Sequence, residues 1–372
     1  MENNNVKTNQ IKNIATVAVF FLMIVGVMFM HIIMPDKEIS ESERRKLDQL
    51  PEISASTVFN AQFSVDMEDY LLDQFPFRDQ VRTIKSIAHF YLLGQADNNG
   101  IYISPDGVSK LEFPIDEKQV QLAVDKINSV NEKYFSGKNT FFSIIPDKNY
   151  FIADKNGYPS IDYDRLVEMM MGVKDSEYID IFDCLEIDDY YVTDTHWSQE
   201  NLGEVVDKIA QSMNLTLPSL DSYEKHTMSP FYGVYYGQSA LPLAPDKITY
   251  LTSATTDAAT VFNLETNKDE SVYRPDRFGI NDSYDLFMSG AAAFQTITNP
   301  LYEGEEKTLV VFRDSFGSSL IPLLIDGYST IHVVDLRYMF PAAIPQVIDL
   351  EEVDDVLWIY STLIINSASI LR

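Results

Sequence analysis

An aspartate and a histidine stand two residues apart in the segment Thr193-Asp194-Thr195-His196-Trp197, directly before a predicted amphipathic helix. On a short turn, the carboxylate of Asp194 can accept a hydrogen bond from Nδ1 of His196 and leave Nε2 free to act as a base. The alternative is structural, with Asp194 capping the helix and His196 half-buried beside it. The pair supplies a candidate base and its orienting acid, and it needs a nucleophile to carry out chemistry.

Ser315 is the candidate nucleophile, in the segment VVFRDSFGSS at 310–319. An apolar strand is predicted to end there and a helix to begin, so Ser315 would lie at the carboxyl edge of a parallel sheet, where α/β proteins bind ligands. Backbone N–H groups at the start of the helix, such as that of Phe316, can stabilise an oxyanion. The alternative is a serine that only caps the helix. Ser315, His196 and Asp194 together provide the residue types of a catalytic triad.

The rest of the composition excludes several other kinds of site. The chain of 372 residues has five histidines and one cysteine, Cys184, so it holds no internal disulfide and no multi-thiolate metal site. It has neither a Gly-rich phosphate loop nor histidines and carboxylates at metal-ligand spacing, so we predict no metal and no other cofactor. The net charge of −28 excludes nucleic acid as a partner, because phosphates are bound mainly by Lys and Arg.

The N-terminal segment decides where these residues work. Residues 14–34 are apolar and uncharged with His31 neutral, and they are long enough to cross about 30 Å of hydrocarbon as a helix. A signal peptide would end in a small-x-small cleavage site, and none follows, so an uncleaved anchor is favoured. We predict a cytoplasmic tail at 1–13, a transmembrane anchor at 14–34, a juxtamembrane stalk at 35–60 and an extracytoplasmic domain at 61–372.

The charges beside the anchor favour the opposite orientation. Lys7 and Lys12 precede it, whereas Lys37 and the basic run at 44–46 follow it. A long C-terminal domain is translocated largely regardless of such charges, so we place the domain outside the cytoplasm, at a single-pass cell-membrane anchor.

The elements that must position the site alternate along the domain. Two helices separated near Pro76 come first, and helices and strands then alternate, which predicts a parallel sheet between helices. Predicted strands lie at 140–146, 178–183, 309–312, 330–336 and 355–361, and predicted helices at 115–135, 161–174 and 202–213. The stretch 214–300 is predicted to add loops and short strands to that sheet.

Six segments occur here in the order found in the DHHW proteins and their relatives, the alginate O-acetyltransferases of the AlgX and AlgJ type. They are SESERRKLDQLPE, YLLDQFPFRDQ, IIPDKNYF, TDTHW, FRDSFGSSLIPLL and VDLRY, and the resemblance extends from about residue 40 to about residue 366. It implies an SGNH-hydrolase-like, three-layer α/β/α domain with a mainly parallel sheet. It also implies that Asp194, His196 and Ser315 form a triad, in permuted order relative to ordinary SGNH hydrolases, in which the serine comes first.

The chain departs from the family pattern at two places. Thr195 replaces the second residue of Asp-His-His-Trp, as in the alginate relatives, so we assign it no chemistry. Family members carry a paired-glycine element before the serine strand, and its nearest match here is Phe287-Met288-Ser289-Gly290. We therefore take Gly290, with Phe316, as a candidate oxyanion residue.

Four further residues are candidates for binding substrate. Arg337 and Tyr338 follow a predicted strand at the carboxyl edge, and Lys148 follows another predicted strand. Trp197 offers an aromatic platform for a sugar. Each has a structural alternative, namely packing for Arg337, Tyr338 and Trp197 and a solvated loop charge for Lys148.

The resemblance implies transfer of an acetyl group to a cell-surface or exported polysaccharide, with a membrane-bound partner that delivers the acetyl donor. An acetyl esterase, in which water replaces the sugar, uses the same residues. A polysaccharide-binding or assembly subunit with a vestigial triad is the alternative from outside the enzymes.

Overall fold

A long helix, α1 (Glu2–Ile33), begins the computed structural model, which describes residues 2–40 and 42–372. Within α1, the segment Gln10–Ile33 is long and apolar enough to cross a membrane, with a mean hydropathy of 2.5 over its most apolar 18 residues. This agrees with the span predicted from the sequence at 14–34. The chain divides into two units, residues 1–93 and 94–372, so residues 61–93 of the predicted domain fall in the first unit.

The first unit continues with short elements and two longer helices. A two-stranded ladder is followed by three helices, and the last of these runs on into a π-helical turn at Ala88–Leu92. The elements are β1 (Ile39–Ser40), β2 (Arg45–Lys46), α2 (Ala55–Phe59), α3 (Gln62–Asp73) and α4 (Arg78–Ile87). The helices α3 and α4 are separated near Pro76, as the sequence predicts.

The second unit begins with a three-stranded sheet and continues with alternating helices and strands. Its strands are β3 (Asp97–Asn98), β4 (Ile101–Ser104), β5 (Gly107–Lys110), β6 (Asn139–Ile145), β7 (Glu177–Ile179), β8 (Glu224–Phe231), β9 (Asp246–Thr252), β10 (Thr260–Asn263), β11 (Lys268–Ser271), β12 (Phe294–Thr298), β13 (Thr308–Arg313), β14 (Thr330–Val334) and β15 (Asp355–Ser361). Its helices are α5 (Glu117–Tyr134), α6 (Lys148–Ile152), α7 (Tyr163–Met170), α8 (Gly203–Ser212), α9 (Val234–Ser239), α10 (Ala254–Ala258), α11 (Gly317–Leu320), α12 (Ile344–Val347) and α13 (Thr362–Ile365).

Eight of these strands form one mixed sheet in the order β11-β10-β12-β14-β13-β15-β6-β7. The five strands from β14 to β7 run parallel, whereas β12, β10 and β11 pair antiparallel at the other end. The antiparallel strands come from the stretch 214–300, where the connection from β10 to β11 is too short for a parallel crossover. The strands β8 and β9 form a separate hairpin.

Apolar side chains of the central strands alternate between the two faces of the sheet. Val310 and Phe312 of β13 belong to a core covered by α5 and α7, and Leu309 and Val311 belong to a second core that includes α8. Helices therefore cover both faces. The helix α5 (Glu117–Tyr134) lies within the predicted helix, and the carboxylate of Asp116 accepts hydrogen bonds from two N–H groups of its first turn.

Several elements are shorter than their apolar patterns predict, including the strand expected at 330–336, which ends at Val334. The strand expected at 178–183 ends at Ile179, because the Asp180 carboxylate accepts the N–H of Phe182 at 3.1 Å and a 3₁₀ turn follows. The helix expected at 161–174 is confined to Tyr163–Met170 and is capped by Asp162, whose carboxylate accepts the N–H of Arg165 at 2.9 Å.

Candidate active site

The structure brings the three predicted catalytic residues into contact. Ser315 lies two residues beyond the end of β13, and Asp194 and His196 lie in the segment between β7 and α8. Nε2 of His196 is 2.8 Å from Oγ of Ser315, and Nδ1 of His196 is 2.6 Å from Oδ1 of Asp194. The three side chains form one continuous hydrogen-bonded chain.

Asp194 is fully buried, and its carboxylate accepts several hydrogen bonds. Oδ1 accepts the backbone N–H of His196 at 3.0 Å as well as the ring, and Oδ2 accepts the N–H of Val234 at 2.8 Å. Donors of this kind favour the ionised carboxylate. An ionised Asp194 can only accept, so Nδ1 carries the ring proton and Nε2 of neutral His196 is left to accept the proton of Ser315.

Aromatic rings hold the imidazole of His196 in place. Tyr284 stacks on it with centroids 3.9 Å apart and planes 10° apart, and Phe316 lies 4.8 Å away at a tilt. The hydroxyl of Tyr284 is fixed in turn by a 2.8 Å hydrogen bond to Oγ of Ser319. Sequence reasoning missed Tyr284, because it lies in a short 3₁₀ turn that carries no motif.

Trp197 is fully buried, so its predicted role in binding substrate is replaced by a structural one. Its Nε1 donates to the backbone oxygen of Phe316 at 3.1 Å and lies 3.0 Å from Oγ of Ser319. Trp197 therefore ties the histidine segment to the start of the helix after Ser315. This is the packing alternative considered for it from the sequence.

Lys148 also lies in the interior, with 2% exposure, and not at a pocket mouth or in a solvated loop. Its ammonium group donates to the backbone oxygens of Tyr191 at 2.8 Å, Val192 at 3.0 Å and Asp194 at 3.3 Å. Burial lowers the pKa of Lys148 to about 7, against the opposing attraction of Asp194 and Asp246. Its position is that of a residue that holds the Asp194 segment in place.

Asp246 holds the same segment through its N–H groups. Its carboxylate accepts the N–H of Val192 at 2.9 Å and the N–H of Thr193 at 2.7 Å. Lys148 binds the carbonyl groups and Asp246 the amide groups, so two opposite charges fix the backbone that carries Asp194. Neither contact is visible as a motif in the sequence.

The two predicted oxyanion donors already have acceptors within the chain. The N–H of Phe316 donates to Oδ1 of Asp314 at 3.0 Å, and the N–H of Gly290 donates to the backbone oxygen of Phe287 at 3.0 Å. The N–H of Ser315 itself has no acceptor among the described residues. It is the backbone donor of this turn that remains available to an oxyanion.

Gly290 is nevertheless required where it stands. Its φ is +83°, and a Cβ at this position would lie 2.0 Å from Oδ1 of Asp285. Its backbone oxygen accepts a hydrogen bond at 3.1 Å from Arg313, a fully buried residue that also donates to the backbone oxygen of Asp314 at 3.3 Å. Arg313, which sequence reasoning did not single out, therefore links the turn at Ser315 to the segment containing Gly290.

Arg337 and Tyr338 lie beyond the end of β14, as predicted. Arg337 forms a two-pronged ion pair with the buried Asp335, with distances of 2.9 and 2.6 Å, and Asp335 also lies 3.8 Å from Arg313. The ring of Tyr338 lies 5.4 Å from the guanidinium of Arg337 and is about half exposed. Arg337 is thus engaged within the fold, and the Tyr338 ring remains accessible to solvent.

Residues 168–334 match the family model described as DHHW protein, which confirms the resemblance read from the motifs. Among solved structures, a DHHW family protein from Eubacterium siraeum superimposes with a TM-score of 0.62 at 21% identity, over 74% of this chain and 95% of that one. Bacillus cereus PatB1 with a sulfonyl adduct superimposes with a TM-score of 0.55 at 15% identity, over 71% of this chain and 97% of that one. A second structure of Bacillus cereus PatB1 superimposes with a TM-score of 0.56 at 14% identity, over 71% of this chain and 96% of that one. No curated protein sequence matches the chain significantly. The structural similarities show a shared fold.

Proposed function

We propose that this chain, which resembles the DHHW family, is a serine acyl-transfer enzyme that O-acetylates a cell-surface or exported polysaccharide. The observation that carries the proposal is the hydrogen-bonded chain from Asp194 through His196 to Ser315, with its distances of 2.6 and 2.8 Å. A structural serine or a helix-capping aspartate needs no such alignment. The proposed fold class is SGNH-hydrolase-like, and helices on both faces of a central sheet support it.

The first half of the reaction transfers the acyl group to the enzyme. Nε2 of His196 accepts the proton of Ser315 as Oγ attacks the acyl carbonyl carbon of the donor. The backbone N–H of Ser315 stabilises the oxyanion of the tetrahedral intermediate. When the intermediate collapses, the bond to the leaving group breaks and the leaving group takes the proton from His196. Ser315 is then an ester.

The second half passes the acyl group to the acceptor. A sugar hydroxyl gives its proton to Nε2 of His196 and attacks the ester carbon, and Oγ of Ser315 leaves with that proton. Asp194 stabilises the imidazolium in both halves and keeps the ring oriented. Every proton that His196 accepts is returned within the cycle, so the reaction needs no metal and no redox cofactor.

The proposed location follows from α1. A helix that can span the membrane at Gln10–Ile33 anchors the chain, with the unit at 94–372 on the extracytoplasmic side. A polysaccharide acceptor is then within reach, whereas the acetyl donor must cross the membrane. We therefore propose a membrane-bound partner that delivers the acetyl group.

One observation favours a second candidate, a polysaccharide-binding or assembly subunit without catalysis. The N–H groups of Phe316 and Gly290 are both bonded within the chain, which leaves an oxyanion fewer donors than a complete site provides. An acetyl esterase differs from the transferase only in the acceptor, so the same experiment must separate all three.

The experiment uses the full chain in detergent with an activated acetyl ester. An acetyl group should appear transiently on the peptide that contains Ser315, and Ser315→Ala should abolish it. Cys184→Ser removes the only thiol and should leave the acetyl group in place. Acetylated oligosaccharide among the products identifies a transferase, and free acetate alone identifies an esterase. If wild type and Ser315→Ala react alike and still bind polysaccharide, the chain is a binding subunit.

A further inference from the structure

The helix α4 and the π-helical turn after it carry apolar side chains on their exposed face and polar side chains on their inward face. A surface helix of a soluble protein has the reverse arrangement. Apolar side chains at helical spacing point away from the first unit, and Ile84, Tyr91 and Leu92 are 67%, 75% and 80% exposed. The residues of this outer stripe are Phe77, Val81, Ile84, Ile87, Tyr91 and Leu92. An exposed apolar stripe of this length is typical of a surface that contacts a membrane or another protein.

The polar side of α4 is turned inward because ion pairs hold it there. Arg78 and Arg82, one turn apart, bind the two carboxylate oxygens of Glu43 at 2.5 and 3.2 Å. Ser86, one turn further on, is fully buried. Glu43 belongs to the short segment between β1 and β2, just after α1. The orientation of the helix is therefore set by charged contacts, and its apolar stripe is left on the outside.

The preceding helix α3 lies against the end of α1. The ring of Tyr70 makes an edge-on contact with His31, in the last turn of the span, with centroids 5.3 Å apart, and its hydroxyl donates to Asp36 at 3.2 Å. Gln74 accepts the N–H of Lys37 at 2.9 Å. These contacts hold α3 beside the C-terminal end of α1, the end at which a spanning α1 would leave the hydrocarbon.

The turn between α3 and α4 lies at the same level. Phe75 and Phe77 line one cleft together with Met34 and Pro35, the residues that directly follow α1. Where a spanning helix leaves the membrane, the bilayer surface lies next to it and offers an apolar medium. Amphipathic helices that lie in that surface bury their apolar face in it. Aromatic side chains are also enriched at this level of a membrane.

We propose that α3, α4 and the π-helical turn lie flat on the lipid bilayer, with the outer stripe inserted among the acyl chains of the leaflet where α1 emerges. This inference rests on the membrane anchor of the proposed function. It makes residues 62–92, which the sequence assigns to the start of the extracytoplasmic domain, a membrane-bound platform. Because the chain is strongly acidic, apolar contact and not attraction to anionic lipid drives the binding, and neutral phosphatidylcholine suffices.

The test uses full-length protein in phosphatidylcholine vesicles, with Cys184→Ser as background so that one introduced cysteine carries a nitroxide label. Ile84→Cys reports on the outer stripe, and Lys85→Cys, its exposed polar neighbour, is the matched control. Oxygen partitions into lipid, whereas a water-soluble nickel complex stays outside it. We expect the ratio of relaxation by oxygen to relaxation by the nickel complex to be several-fold higher for the label at 84 than for the label at 85. Acylation of Ser315 in each labelled protein checks that the second unit is folded.

Two results would overturn the proposal. Strong relaxation of the label at 84 by the nickel complex means that the stripe faces water. Weak relaxation by both agents means that protein covers it, either a second copy or another part of the chain. Val25→Cys, inside the span, separates failure of the anchor from failure of this inference, because its label must report lipid if α1 crosses the membrane.

Discussion

Replacing Lys148 by methionine keeps most of the side-chain stem and removes one buried charge. Three backbone oxygens, those of Tyr191, Val192 and Asp194, lose their donor. Each buried carbonyl left without a partner costs about 1–3 kcal/mol, so the variant should be less stable than wild type. The segment that carries Asp194 should also loosen, and acylation of Ser315 should slow.

The pH dependence of this loss can be worked out from the environment of Lys148. Burial lowers its pKa from 10.5 in the unfolded chain to about 7 in the fold. Between these values the unfolded chain binds a proton that the folded chain does not, so wild-type stability rises with pH by about 1.4 kcal/mol per unit. The methionine of the variant does not titrate and has no such linkage. The stability gap between the two proteins should therefore widen by about 2 kcal/mol between about pH 7 and about pH 9.

Denaturant unfolding of both full-length proteins at the two pH values measures the gap directly. Lys174→Met, which removes an exposed lysine, controls for the loss of a surface charge. A gap that stays constant with pH would refute the reasoning, because Lys148 would then titrate alike in the folded and unfolded chain. A variant as stable and as active as wild type would show that the three carbonyl contacts hold nothing in place.

Three further changes test other parts of the site. Gly233→Ala should destabilise the fold by about 1–3 kcal/mol and slow acylation. The added Cβ would lie 2.3 Å from the backbone oxygen of Thr193 and 2.4 Å from Cβ of Asp194. Unchanged unfolding and acylation rates would contradict this close approach. Trp197→Phe should cost about 1–3 kcal/mol, because the backbone oxygen of Phe316 loses its indole donor, and the acylation rate should fall while the acetylated peptide stays the same. Treatment with EDTA should leave acylation unchanged, since the proposed chemistry uses only groups of the protein itself, and a loss that zinc restores would contradict the triad.

Local sequence pattern was sufficient for the elements that carry the site. The run at 140–146 is mainly apolar, as expected for β6, which is buried on both faces, and α5 was predicted from the helical spacing of its apolar residues. Ser315 could be placed at the end of a strand for the same reason, and the apolar run of α1 predicted a membrane span. In each case the signal lies within a few neighbouring residues.

Tertiary structure alone decided which of the candidate side chains are exposed and which are buried. Lys148 and Trp197 follow or adjoin predicted site elements, yet both lie in the interior, because their partners are 43 or more residues away in the chain. Tyr284 stacks on His196 from a distant turn, and the N–H groups of Phe316 and Gly290 are taken up by Asp314 and Phe287. Solvent access and hydrogen-bond partners depend on contacts between segments distant in sequence, so residue type and spacing could nominate these residues but could not fix their surroundings.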